Sequence, residues 1–76
     1  MRRMRVSSES IASVGYDAAA KTLEIEFHTG RLYQYAGVPA LVHEELVHAD
    51  SIGAYFNANI RPNYPYVEVY VRSAGR

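Results

Sequence analysis

The chain lacks cysteine and has no excess of charge of either sign, since eight basic side chains balance eight acidic ones. The absence of cysteine excludes disulfides, a thiol nucleophile and thiolate metal ligands. Proteins that bind nucleic acid strongly usually carry a basic excess, so the balanced charge argues against a strong nucleic-acid binder. The seven tyrosines are the one compositional oddity, and tyrosine suits both half-buried sheet positions and contact surfaces.

Long apolar runs are also missing. No stretch approaches the roughly 20 apolar residues of a membrane span. The basic N-terminus is not followed by an apolar core, so we expect no secretory signal. We therefore expect one small, soluble, cytoplasmic domain without membrane contacts, which buries only about 60% of its unfolded surface.

Residues 21–39 contain the clearest pattern of the chain. Apolar and polar residues alternate over 23–28, which predicts a strand with a buried face and an exposed face that carries Glu24 and Glu26. Residues 29–30 supply a turn, because glycine reaches positive φ at little cost. A second strand follows at 31–36, so the segment predicts a β-hairpin.

Another strand is predicted before this hairpin, at residues 11–16. Gly15 within it indicates a bulge or a close backbone approach, and Asp17 is typical of the turn that follows. Three strands joined by short loops form an antiparallel meander. A last strand is predicted at residues 66–72, from the alternation of valine with tyrosine and glutamate.

The region between the hairpin and the last strand predicts two helices. Pro39 suits a first helical turn, and apolar spacing indicates a helix over residues 39–49. Asp50 or Ser51 then caps a second helix at residues 52–59. The fold predicted is therefore α+β: three consecutive strands plus a C-terminal strand, with a two-helix segment packed on one face.

Several of these segments together resemble a known family. The residues are 10–17, 22–27 and Gly30-x-x-Tyr33-x-Tyr35-x-Gly37-Val38-Pro39, followed by Ser51, Gly53, Tyr55-Phe56-Asn57, Ile60-Arg61 and Tyr64-Pro65-Tyr66. This combination resembles the KTSC domain, named after the C-terminus of some lysyl-tRNA synthetases and also found as short stand-alone bacterial proteins. The resemblance covers about residues 6–66. Together with the predicted last strand, it leads us to expect a single domain at residues 6–72 with flexible ends at 1–5 and 73–76.

The resemblance implies little about function. The family has no established activity, and RNA binding is suspected from the synthetase setting. Tyr33 and Tyr35 fit that role, because aromatic side chains on a sheet stack unpaired bases. They also fit a place in the core beneath the helices, which is the interpretation we favour from the hairpin alone.

A second group of candidate residues lies around the end of the second helix. Asparagine and arginine side chains can hold a phosphate, or they can satisfy nearby backbone groups. The N-terminal arginines are a third group, interpreted as a solvated tail or as a phosphate-contacting arm. The full set of candidate nucleic-acid-binding residues is Arg2, Arg3, Arg5, Tyr33, Tyr35, Asn57, Asn59, Arg61 and Tyr64.

Catalytic and metal sites are not predicted. His43 and His48 stand five positions apart, which separates them by about 140° on a helix, whereas a zinc-protease helix needs histidines four apart. No serine lies in a nucleophile elbow, and no cofactor motif is present. We expect a non-enzymatic domain, either an RNA-binding accessory module or a protein-interaction module or homodimer that assembles through its C-terminal strand.

Overall fold

The computed structural model describes residues 3–70 of the chain. These residues form a five-stranded antiparallel sheet in which every strand pairs with the next one in sequence. The strands are β1 (Arg3–Arg5), β2 (Ile11–Asp17), β3 (Thr22–Phe27), β4 (Leu32–Tyr35) and β5 (Tyr66–Val69). The helices are α1 (Ala40–Val47) and α2 (Ile52–Tyr55), which continues as a π-helical segment (Phe56–Ile60). The predicted α+β class is confirmed.

The turns form where the sequence supplies suitable residues. The Asp17 carboxylate accepts hydrogen bonds from the backbone N–H groups of Ala19 and Ala20, at 3.1 and 3.3 Å, between β2 and β3. Gly30 adopts a φ of 93° between β3 and β4, a conformation that costs glycine little. Ser51 caps α2 by accepting a bond of 3.2 Å from the N–H of Ala54, which settles the choice between Asp50 and Ser51.

One face of the sheet is packed against the helices, and we call it the covered face. Leu46 of α1 and two residues of the π-helical segment join the sheet side chains in a single apolar cluster. Its buried members are Ile11, Val14, Leu23, Ile25, Tyr35, Val38, Leu46, Phe56 and Ile60. The prediction that Leu23 and Ile25 point towards the helices is confirmed, as both are 0% exposed.

The opposite face, called here the uncovered face, differs from its prediction. Glu24 was expected to be exposed, but it is only 7% exposed. Arg3 of β1 covers it, with Nη2 of Arg3 lying 3.1 Å from Oε2 of Glu24, and Gln34 Nε2 donates to the same oxygen at 3.4 Å. Alternation had correctly separated the two faces, but it could not reveal that neighbouring polar side chains would cover this carboxylate.

The N-terminal region also departs from the sequence-based picture. Arg3–Arg5, expected as part of a tail, forms the edge strand β1 and pairs with residues 13–15 of β2. The irregularity in β2 lies between Ile11 and Ser13 instead of at Gly15, and it turns both Ile11 and Val14 into the core. Residues 1–2 and 71–76, which include the expected C-terminal end, lie outside the described part of the chain.

Candidate aromatic cleft

A cleft of about 510 Å³ opens at one end of the covered face, between the β3–β4 hairpin and the π-helical segment. Five aromatic rings form its wall, and polar or charged residues surround them. We call this site the aromatic cleft; the aromatic residues are Phe27, Tyr33, Tyr35, Phe56 and Tyr66, and the others are Glu9, Ser10, His28, Thr29, Arg31, Asn57 and Arg61. Its volume lies within the range of small-ligand sites, roughly 300–1,000 Å³.

Strand pairing brings the tyrosines of the wall together. Tyr66 on β5 stands directly opposite Tyr35 on β4, so their side chains share the covered face. The Tyr66 ring stacks on Tyr33, with ring centres 4.9 Å apart and planes 17° from parallel. Tyr66 remains 53% exposed, whereas Tyr35 is only 2% exposed. The stack therefore ends in a ring that is open to solvent.

The other rings hold this stack in place through edge-to-face contacts. Phe27 packs its edge against Tyr33 at 5.4 Å between ring centres, and Phe56 packs against Tyr35 at the same distance. Phe27 and Phe56 also contact each other at 5.7 Å. Such pairs contribute about 0.5–1.5 kcal/mol each beyond the area that they bury, so these contacts stabilise the arrangement of the wall.

Burial and neighbouring side chains determine the pKa values and the hydrogen bonds of the polar groups in the cleft. Burial raises the pKa of Tyr35 to about 12, so its hydroxyl stays protonated near neutral pH and is able to donate a hydrogen bond. A hydrogen bond with Tyr33, and then the Glu68 carboxylate, raise the pKa of Arg31. Arg61 Nη1 donates to Asn57 Oδ1 at 3.4 Å.

The π-helical segment positions these last two side chains. The backbone N–H of Arg61 donates to the carbonyl of Phe56 at 3.0 Å, a bond across five residues. Phe56 and Ile60 are buried in the core, while Asn57 and Arg61 remain exposed and line the cleft. Single π-helical turns inside helices occur frequently at functional sites.

A comparison with known proteins identifies the family. The KTSC domain model matches residues 7–64, most of the chain. The chain belongs to the KTSC domain family. A KTSC domain protein from Yersinia pestis, known from its crystal structure, superposes with a TM-score of 0.86 at 37% identity, covering 91% of this chain and 97% of that one.

Two relatives show the settings in which this domain occurs. An uncharacterized protein of Stutzerimonas stutzeri is 42% identical over 64 residues, which cover 84% of this chain and 90% of that protein. A lysine–tRNA ligase of a Nostoc species is 37% identical over 59 residues, which are 78% of this chain but only 10% of the ligase. The KTSC domain therefore occurs both in a small protein and as a minor part of a much larger ligase.

Four of the predicted binding residues meet in the aromatic cleft of this KTSC domain. They are Tyr33, Tyr35, Asn57 and Arg61. Tyr35 belongs to the core, as favoured from the hairpin, and it also borders the cleft, while its role in stacking a base stays a prediction. Tyr33 is half-buried and packs against that core.

The other predicted residues in the described part of the chain do not line the cleft, and the binding roles of all the remaining candidates stay predictions. Arg3 and Arg5 belong to β1, where they pair with Gly15 and Ser13 on the uncovered face. Asn59 donates to the carbonyl of Tyr55 at 3.2 Å. The other two are Tyr64, which packs against the core, and Arg2, which lies outside the described residues.

Sequence reasoning missed Arg31, Phe56 and Tyr66 as members of the site. Tyr66 begins a strand that had been predicted, but no pattern revealed that this strand would pair with β4 and place Tyr66 opposite Tyr35. Arg31 directly follows the hairpin turn, where its neighbours depend on that same pairing. For Tyr66 and Arg31, the sequence pattern does not show which strands pair or in which register.

Other parts of the domain offer weaker candidates. A larger and more open depression of about 870 Å³ is lined mainly by residues 7–10 and 50–54, and it contains neither an aromatic ring nor a basic side chain. Within residues 3–70, no three histidine, aspartate or glutamate side chains cluster as a metal site would require. His43 instead stacks on Tyr16 at 4.7 Å, and burial lowers its pKa. No helix in residues 3–70 is long and apolar enough to cross a bilayer.

Proposed function

We propose that this KTSC domain is a cytoplasmic, non-enzymatic accessory module that binds single-stranded RNA in the aromatic cleft. The observation that carries the proposal is the tyrosine stack that ends in the exposed ring of Tyr66. An unpaired base can extend such a stack, and base–aromatic stacking contributes about 1–3 kcal/mol per base. Because every base has a π-face, this mode of binding tolerates different sequences.

The polar surroundings of the wall support the same ligand. Arg31 and Arg61 line the cleft with the rings, so a positive charge lies within reach of the phosphate that accompanies a stacked base. The protonated Tyr35 hydroxyl can donate to a phosphate, sugar or base oxygen, and its raised pKa makes it a poor base or nucleophile at neutral pH. The cleft is therefore better suited to binding than to catalysis.

The relatives provide independent support. The Nostoc relative is a lysine–tRNA ligase by name, so in that protein a matching segment belongs to a chain that acts on tRNA. The present chain corresponds to only 10% of that ligase, so aminoacylation is not proposed here. A domain of this size is large enough to hold RNA as an accessory module, and only this role is carried over from the ligase.

The direct test is titration of a labelled single-stranded RNA hexamer, followed by fluorescence anisotropy at low and moderate salt. Tyr66→Ala should weaken binding about tenfold or more, since it removes the stacking surface. Tyr70→Ala is the matched control, because Tyr70 follows the same strand, is 83% exposed and does not line the cleft. Failure of the wild-type protein to bind more tightly than about millimolar at low salt would disprove the proposal, since phosphate contacts are strongest there.

The exposed strand β5 favours a second candidate function, self-association or binding of another protein. Tyr66 and Val67 are 53% and 61% exposed on this strand, and within the described chain β5 pairs only with β4. An uncovered strand edge can add to the sheet of another copy or partner. Light scattering over a concentration series tests self-association, and Val67→Lys should abolish any dimer because a charge blocks the edge.

A further inference from the structure

The two arginines of the aromatic cleft differ in what surrounds their charge. Nη1 of Arg31 lies 3.8 Å from Oε1 of Glu68, so a carboxylate already offsets its charge. Arg61 instead contacts the neutral amide of Asn57. Across residues 3–70, no carboxylate oxygen comes within salt-bridge distance of the Arg61 guanidinium. Arg61 is therefore the cleft arginine whose charge remains available to an anion.

The position of Arg61 is fixed by the π-helical segment and not by an ionic partner. Its backbone N–H is bonded to Phe56, and the buried residues Phe56 and Ile60 anchor the segment just before it. Arg61 and Tyr35 both line the aromatic cleft. A cation and a hydroxyl group thus border the same cavity.

The N-terminal arginines do not add to this charge. Nη2 of Arg3 pairs with Glu24 at 3.1 Å, and Nη1 of Arg3 lies 3.9 Å from Glu26. Arg3 and Arg5 pair with Gly15 and Ser13, so both arginines lie on the uncovered face, on the other side of the sheet from the cleft. In the described residues, no track of basic side chains leads away from the cleft along which a longer phosphate backbone could lie.

We propose that the cleft binds one unpaired nucleotide, with its base stacked on Tyr66 and a single phosphate held by Arg61. This inference rests on the proposed function and narrows its ligand to a nucleotide exposed at a strand end, a bulge or a loop. A duplex does not fit, because its bases are already stacked on one another and cannot extend the tyrosine stack. The zero net charge of the chain agrees with this mode, in which stacking dominates and electrostatics contribute little.

The number of phosphates held can be measured from the salt dependence of binding. For single-stranded ligands, log K falls against log salt concentration with a slope of about −0.7 for each phosphate neutralised. One contact through Arg61 therefore predicts a slope near −0.7, whereas a strand held along its backbone gives a slope several times steeper. The stacking contribution does not depend on salt in this way.

The experiment titrates a single-stranded adenine hexamer into the full chain at several salt concentrations. Arg61→Gln should weaken binding about tenfold at low salt and flatten the slope, while the matched variant Arg31→Gln should leave the slope unchanged. Circular dichroism confirms that each variant is folded, and Arg61→Lys, which keeps the charge, should restore most of the slope.

The other possible outcomes separate this inference from the function on which it rests. A wild-type slope steeper than about −2, or equal losses in Arg61→Gln and Arg31→Gln, would overturn the single-phosphate site while RNA binding itself survives. A hexamer that binds no more weakly to Arg61→Gln than to the wild type would also overturn it. Absence of binding to any single strand would reject the proposed function, and this inference with it.

Discussion

The two faces of the sheet are built on alternate residues of the same strands, yet they are held together differently. On the covered face, Val14 and Ile25 pair across strands and are 1% and 0% exposed. On the uncovered face, the adjacent row aligns Arg3, Gly15 and Glu24, and an ion pair joins its outer members. One face is stabilised by removal of apolar surface from water, and the other by a polar network.

Gly15 shows how closely the uncovered face depends on its sequence. Arg3 and Glu24 belong to strands on either side of β2, and Gly15 stands between them in the register. Because glycine has no side chain, nothing on β2 obstructs the Arg3 side chain where it crosses to reach Glu24. The close backbone approach expected at Gly15 stays a prediction, and what the register shows is that Gly15 aligns with Arg3 and Glu24.

The covered face should account for most of the stability. Ile25→Ala should lower the free energy of unfolding by about 2–5 kcal/mol, since Ile25 is fully buried at the centre of the cluster. Domains have a total stability of only about 5–15 kcal/mol, so this single change threatens folding. Urea unfolding followed by circular dichroism measures the loss, and a loss below about 1 kcal/mol would contradict the assignment of the core.

The polar network should respond with a smaller and asymmetric loss. Arg3→Ala should cost about 1–3 kcal/mol, because it leaves a carboxylate whose side chain is only 9% exposed with the neutral Gln34 as its remaining partner. Glu24→Ala should cost less, since it removes the buried charge together with its need for a partner. A double-mutant cycle between the two positions measures their coupling.

Arg5→Ala is the control for this network. Arg5 lies on the same strand and face, and among the described residues no carboxylate lies within salt-bridge distance of it. Its replacement should leave stability within about 0.5 kcal/mol of the wild type. If Arg3→Ala also left the stability unchanged, the polar network of the uncovered face would not contribute to stability. The comparison between the two faces would then fail.

At high pH, the covered face should lose stability through Tyr35. Burial raises the pKa of this tyrosine to about 12, so the folded state holds the phenolic proton more tightly than the unfolded chain does. The resulting stabilisation is complete below about pH 10, the ordinary value, and is lost as the pH rises towards 12. Stability should therefore fall with pH across this window.

The same titration separates Tyr35 from a second tyrosine. Burial and a hydrogen bond to Glu45 raise the pKa of Tyr55 to about 12 as well. Absorbance of tyrosinate, followed during a pH titration, should show that Tyr35→Phe and Tyr55→Phe each remove part of the late-ionising signal. If Tyr35→Phe left that signal intact, the Tyr35 hydroxyl would not lie in the buried environment described here.

Much of the covered face could be predicted from the sequence because its signals are local. Alternation over residues 23–28 identified the apolar side of β3, and the candidate caps Asp50 and Ser51 located the start of α2. Tyr33 and Tyr35 share a face by the period of two, and Asn57 and Arg61 were grouped by their spacing along the chain. These local patterns identified four residues of the cleft.

The rest depended on contacts between distant parts of the chain. Strand β1 is too short to show an alternating pattern, and Glu24 is buried by Arg3, which lies 21 positions away in the sequence. Tyr66 enters the cleft only through the pairing of β4 with β5. The π-helical segment looks like an ordinary helix in sequence, because Phe56 and Ile60, its buried residues, are four apart and would share a face in an α-helix as well.

Among the substitutions that remove an observed contact, the smallest effect is expected from Glu26→Ala, one position beyond Ile25 on β3. The Glu26 side chain is 39% exposed and accepts a 2.7 Å hydrogen bond from the hydroxyl of Ser13, which water can replace once the carboxylate is removed. The loss should be below about 1 kcal/mol in the same urea experiment. Because adjacent strand residues face opposite sides, equal losses from Ile25→Ala and Glu26→Ala would mean that the faces of β3 are wrongly assigned. A reversal on β3 would carry Tyr33 and Tyr35 with it through the strand register, and the aromatic cleft would no longer exist.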